Sequence, residues 1–185
     1  MVLVDDYTRM TWICLLKKKS EGFKSFIIFE LVENETDMKI KCLRSNNGVE
    51  FTSNEFMDYC EEHGIKRQFS TTQTPQHNGV AERKNKIVQE MTKIMLKESK
   101  LGDILWGKSV HKTIHILKIG LLRINSDKNP YELWKGTPTN VKNFRVFECK
   151  CYIKREDGIG KFDSRVDKGI LVGYSSMSKH TSAKI

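Results

Sequence analysis

Residues 74–85 read Thr74-Pro75-Gln76-His77-Asn78-Gly79-Val80-Ala81-Glu82-Arg83-Lys84-Asn85, followed by Lys86-Ile87-Val88-Gln89-Glu90-Met91-Thr92-Lys93-Ile94-Met95-Leu96-Lys97. From Ser70 to Asn78 there are Thr, Gln and Pro75 but no large apolar residue, which predicts a loop. Beyond Gly79 the pattern becomes periodic. At 100° per residue Val80, Ile87, Met91, Ile94 and Met95 share one face, whereas Glu82, Lys86, Gln89 and Lys93 fall on the other. The best helix of the chain is therefore expected from Val80 to about Lys97. Lys84 lies on the apolar side, where its stem must run along the core, and Gly79 permits close backbone approach at the helix start.

Upstream, Val2 to Val4 and Met10 to Leu16 are short β-branched and aromatic runs, separated by Asp5-Asp6-Tyr7-Thr8-Arg9. This predicts an antiparallel hairpin. Residues 21–34 place Phe23, Phe26, Ile27 and Leu31 at helical spacing behind Ser20, a suitable N-cap. Lys39 to Leu43 reads as a strand running into the turn Arg44-Ser45-Asn46-Asn47-Gly48. Residues 54–63 read as a helix with Phe56, Tyr59 and Cys60 inward, stopped by Gly64. Ile65 to Phe69 then forms another strand.

Downstream, a helix over 103–119 is expected to bury Trp106, Val110, Ile114 and Leu117 and to turn Lys108, Lys112, His115 and Lys118 outward. Residues 121–143 lose periodicity and contain Pro130 and Pro138, which marks a linker. Phe144 to Ile153 and Lys168 to Val172 look like strands joined by a charged hairpin, and a frayed polar tail is expected over 176–185. Trp106 and Trp134 are read as packing anchors.

The 185 residues include 32 Lys+Arg and 23 Asp+Glu, for a net charge of +9, with 38% hydrophobic and 30% charged side chains. Such a chain is globular rather than disordered. Phe26 to Phe29 and Ile119 to Leu122 are far too short to span a membrane, and no signal peptide is expected. Five cysteines, at 14, 42, 60, 149 and 151, never form Cys-x-x-Cys, so they are read as small hydrophobes in an intracellular, reducing compartment. Charge is uneven: residues 1–82 carry ten basic and thirteen acidic side chains, 83–128 eleven and four, and 129–185 eleven and six. The basic remainder suits a polyanionic partner, although solubility alone would also account for it.

Two segments, Arg44-Ser45-Asn46-Asn47-Gly48-Val49-Glu50-Phe51 and Thr74 to Asn85, together resemble the catalytic core of retroelement integrases, and most of all its copia-type branch. That family sets an Asp at the end of one strand and a Glu on a following helix with thirty-five residues between them. Here thirty-five residues separate Asn46 from Glu82, so the spacing is kept and the aspartate is not. The likeness extends through Val4 to Arg9, Asn129-Pro130-Tyr131-Glu132-Leu133-Trp134, Arg145-Val146-Phe147 and Leu171-Val172-Gly173-Tyr174-Ser175.

The resemblance implies phosphoryl transfer with two magnesium or manganese ions, held about 3.5–4 Å apart by carboxylates. Asn46 offers a neutral carbonyl oxygen instead, and the family's other catalytic Asp lies upstream of the hairpin, in a segment this chain is not expected to include. Asp5 and Asp6 are read as part of the hairpin turn. Of three acids only Glu82 is left, so Asn46 and Glu82 are vestigial metal positions and no functional metal or cofactor is expected. Val49, where the family has Gly, adds a β-branched side chain beside the turn. Lys86, one turn after Glu82, resembles the family's position for contacting element-end DNA, and Arg83, Lys93 and Lys97 complete the candidate DNA-binding set. His111 and His115 have the spacing of a helical zinc pair, but Lys112 stands where Glu would be needed, so an exposed polar face is expected. Cys149 and Cys151 are expected under the barrel.

The expected fold is α/β: a ribonuclease-H-like mixed sheet flanked by helices, lacking its first strand, over 1–120, then a linker over 121–143 and a partial Src-homology-3-like β-barrel over 144–175. The expected function is that of a degenerate integrase core from a copia-type retrotransposon Pol polyprotein, which binds DNA through phosphates without base preference but does not catalyse strand transfer. A homodimer and a nuclear location on chromosomal DNA go with that reading, and no membrane partner does. The alternative is a non-catalytic nucleic-acid-binding or protein-interaction module. An active nuclease would need a second carboxylate set that the sequence does not offer.

Overall fold

The computed structural model describes residues 1–27, 32–34, 38–48, 51–70, 78–99, 102–142, 144–155, 164–174 and 181–184. Most of the expected loop before Gly79, together with Leu31 and Val49, lies outside them. The chain divides into two compact units, Met1–Lys86 and Ile87–Ile185, with the boundary inside a helix.

In the first unit β1 (Val2–Val4) pairs antiparallel with β2 (Thr11–Ile13), Leu3 facing Trp12. The expected hairpin is present with a shorter second strand. Its turn is set by Asp5, whose Oδ2 accepts from the Thr8 N–H at 2.7 Å and the Thr8 hydroxyl at 2.6 Å, and by an Asp6–Arg9 ion pair. α1 (Gly22–Ile27) follows a single tight turn, Lys19–Glu21. Ser20 is not the cap; it sits inside that turn, and the Glu21 carboxylate accepts from the Lys17 N–H at 3.0 Å.

β3 (Cys42–Ser45), α2 (Asn54–Glu62) and β4 (Lys66–Phe69) form a strand–helix–strand unit with the strands parallel, Cys42 opposite Lys66 and Ser45 opposite Phe69. Ser53 caps α2 through the Phe56 N–H, and Gly64, at φ +65°, supplies the left-handed residue that lets the chain leave it. Phe26, Leu43, Phe56, Cys60 and Ile65 form the core. Phe23 meets Phe56 edge-on with ring centroids 5.7 Å apart. Both strand directions of the expected mixed sheet are present, as two separate hydrogen-bonded pairs among the described residues.

α3 (Gly79–Glu98) carries the chain from the first unit into the second. Its buried stripe differs from the expected one: Ile87 and Ile94 are exposed, the latter to 59%, while Val88 and Thr92 are buried. The reason is a hydroxyl pair. Thr92 Oγ1 lies 3.3 Å from Thr113 Oγ1 of α4 (Trp106–Ile119), so a polar residue occupies the interior at no hydrogen-bonding loss. On α4, Val110, Ile114 and Leu117 are buried as expected, but Trp106 is half exposed and Leu105 is buried. Lys112, expected outward, is 4% exposed.

The stretch read as a linker contains α5 (Pro130–Lys135), opened by a capping box between Asn129 and Glu132 and closed by Gly136 at φ +69°. Asn129 Nδ2 also donates to the Ile119 carbonyl of α4 and to Thr139 Oγ1. Three antiparallel strands come next, in the order β5 (Lys150–Lys154), β6 (Val166–Tyr174), β7 (Thr181–Lys184). Phe144 to Cys149 is not strand, because Glu148 turns the chain at φ +59°. The tail read as frayed holds β7, which pairs Ala183 with Leu171.

Candidate functional site

Asn46 is the first residue beyond β3, exposed, with its Oδ1 accepting from the Gly48 N–H at 3.3 Å. Glu82 is exposed in the first turn of α3. The two line one cleft of about 350 Å3 within the first unit, with Asn78 and Asn85 beside Glu82 on the α3 side and Ser45 beside Asn46. The structure thus brings together the two positions that the thirty-five-residue spacing singled out. Asp5 and Asp6 do not line it, and both are engaged in the hairpin turn.

The residues present do not fit a pair of hard divalent cations. Such ions need several anionic oxygens at short distance, and among the described residues Glu82 is the sole carboxylate lining the cleft, against three amides, at Asn46, Asn78 and Asn85. Lys19 and Arg44 line it as well, so positive charge already balances the one acid. Among the described residues no three His, Cys, Asp or Glu side chains cluster to hold a metal.

The four candidate DNA-binding residues are exposed on α3. Lys86, Lys93 and Lys97 fall within about 40° of one another around the helix axis. Arg83 turns back instead: its guanidinium covers Gly79, where a Cβ would stand 2.9 Å from Nη1. The arginine occupies the space that any larger residue at 79 would need. Lys84 is half-buried as expected, and desolvation, helped by the Arg9 charge, lowers its pKa.

Sequence reasoning missed the surroundings of Lys112. Its Nζ donates to the Arg145 carbonyl at 3.1 Å and lies 3.7 Å from the Tyr174 ring centroid. Tyr174 Oη in turn accepts from the Arg145 N–H at 2.9 Å. His115 is half-buried against the Tyr174 ring, 4.6 Å between centroids, rather than on an exposed face; burial, with Lys112 and Lys118 close by, lowers its pKa. His111 is exposed as expected. Cys149 and Cys151 are half-buried. No signal in the sequence joins residue 112 to 145 and 174, because the link is made by long-range packing.

No protein-family model matches the chain. It is 35% identical over 177 residues, 94% of its length, to the retrovirus-related Pol polyprotein from transposon TNT 1-94 of Nicotiana tabacum. It is 36% identical over 180 residues to that from transposon RE2 of Arabidopsis thaliana. The chain spans 13% and 12% of the lengths of these two polyproteins. The chain matches one region of the copia-type retrotransposon Pol polyproteins. Its fold is that of an integrase catalytic core. The magnesium-bound catalytic core domain of HTLV-2 integrase superposes with a TM-score of 0.56 at 19% identity, over 71% of this chain and 80% of that one. A chain of the simian T-cell lymphotropic virus intasome, solved with a PP2A regulatory subunit, gives 0.61 at 15% identity, over 96% of this chain and 66% of that one. The two candidate catalytic positions of this copia-type core, Asn46 and Glu82, share one cleft. No helix among the described residues is long and apolar enough to cross a membrane.

Proposed function

We propose that this copia-type integrase core no longer performs strand transfer and acts by binding duplex DNA through phosphates. The observation that carries the reading is Asn46: a neutral amide, bonded into its own turn, lines the cleft that holds Glu82. Without a second carboxylate the cleft cannot neutralise two metal ions, and Lys19 and Arg44 add repulsion. Binding does not depend on that cleft. Residues 87–185 carry 19 Lys+Arg and 10 Asp+Glu, whereas residues 1–86 carry 13 of each, so the whole excess lies in the second unit.

In the same reading Arg83, Lys86, Lys93 and Lys97 contact DNA, residues 1–120 form the core, 121–143 connect, and 144–175, with β5 and β6, form a partial Src-homology-3-like barrel. Homodimerisation and action on chromosomal DNA in the nucleus belong to it too. The charge excess also favours a second reading, a non-catalytic nucleic-acid-binding or protein-interaction module retained for its basic second half. Oligonucleotide joining assays with magnesium and with manganese, run beside duplex-binding titrations, test the proposal. Binding without joining is expected, and metal-dependent joining abolished by Glu82→Gln would overturn it.

A further inference from the structure

On β5 exposure alternates: Lys150, Tyr152 and Lys154 are exposed, Cys151 and Ile153 half-buried. Register places Lys168 of β6 directly opposite Tyr152, with Ile170 opposite Lys150 and Val166 opposite Lys154, so these six share one face. Tyr152 is 68% exposed, in the middle of the β5–β6 ladder. Asp167 stands opposite Ile153, hence on the other face, where the Arg155 Nε donates to it at 2.8 Å. The face therefore presents an open aromatic ring among three ammonium groups, and neither strand places a carboxylate on that side to neutralise them.

We propose that this face is a platform for single-stranded nucleic acid, with one base stacked on Tyr152 and the flanking phosphates held by Lys150, Lys154 and Lys168. Lysines alone would suit any polyanion; the ring makes the distinction. It stacks only on a base whose own face is free, which an unpaired strand offers and a duplex interior does not. An acidic peptide would satisfy the ammonium groups and leave the ring exposed. The site is separate from the α3 residues assigned to duplex binding, and its failure would leave that assignment standing.

The test is fluorescence anisotropy with the full chain, using labelled oligothymidylate, oligouridylate and a blunt duplex of two complementary strands with the same total charge. Tyr152→Ala is expected to weaken single-strand binding about tenfold while Tyr152→Phe retains it, and both should leave duplex binding unchanged. Replacing Lys150, Lys154 and Lys168 by Gln should flatten the salt dependence for the single strands. Tighter binding of either oligomer, or equal binding of both, supports the platform and identifies its natural strand. Absence of single-strand binding, equal losses on single strand and duplex in Tyr152→Ala, or polyglutamate bound as tightly as the oligonucleotides would overturn it.

Discussion

Lys112 Nζ sits 3.7 Å from the centroid of the Tyr174 ring, which binds α4 to the end of β6. The ammonium is desolvated by packing and held by the Arg145 carbonyl and two aromatic faces, Tyr174 and, at 5.7 Å from the centroid, Phe144. Lys112→Ala should therefore lower unfolding free energy by about 2 kcal/mol, the scale of a buried charged hydrogen bond together with a cation–π contact. Urea denaturation of Lys112→Ala, Tyr174→Leu and the double variant measures the coupling; additivity of the two losses would show that the contact contributes nothing.

Asn46→Asp alone should not create strand-transfer activity. It adds one carboxylate to a cleft that still contains Lys19 and Arg44 and still has too few acids for two metals. Turnover by the single variant would show that another carboxylate, Asp5 or Asp6, reaches the site.

Replacing Lys86, Lys93 and Lys97 together by Gln should weaken duplex binding to a similar degree for unrelated sequences. The slope of log affinity against log salt should fall by about 0.9 for each phosphate that is no longer neutralised. An unchanged slope would make the stripe a solvated face only.

Glu132 is expected to contribute to an acid limb in the stability of the fold. Its carboxyl is held below the ordinary value of 4.5 by the hydrogen bond from the Thr139 N–H, then by those from the Asn129 N–H and the Thr139 hydroxyl. A depressed carboxyl stabilises the folded state above its unfolded pKa, and that contribution is lost as pH falls through the folded pKa. Thermal melts from neutral pH down to about pH 3 should fall less steeply for Glu132→Gln than for the parent chain. Parallel curves would rule out this carboxylate as a source of the acid limb.

Much of the first unit was legible because its signals are local. Turn chemistry in Asp5 to Arg9 and the stop at Gly64 each act within a few residues, and the hairpin and strand–helix–strand unit follow from them and from the short apolar runs beside them. The resemblance to the integrase core, with its thirty-five-residue spacing, also paired Asn46 with Glu82, and both line one cleft that periodicity alone could not reveal. Reading failed where polarity and burial part company. Thr92 and Lys112 look like surface residues and lie inside because Thr113 and Arg145 satisfy them, while Ile94 and Trp106 look like core residues and lie outside. Loss of periodicity hid α5, whose six residues are too few to show a repeat and whose existence rests on its caps.

That short helix also bears on the order in which the chain folds. Every side-chain bond of the Asn129–Glu132–Thr139 network spans at most ten residues, whereas Lys112 and Arg145 are thirty-three apart. Closing the small loops costs less entropy than closing the large one. The staple against the Ile119 carbonyl is thus expected to form before the aromatic clasp on Lys112. In stopped-flow experiments Asn129→Ala should chiefly slow refolding and Tyr174→Leu chiefly speed unfolding. The reverse pattern would place the clasp first.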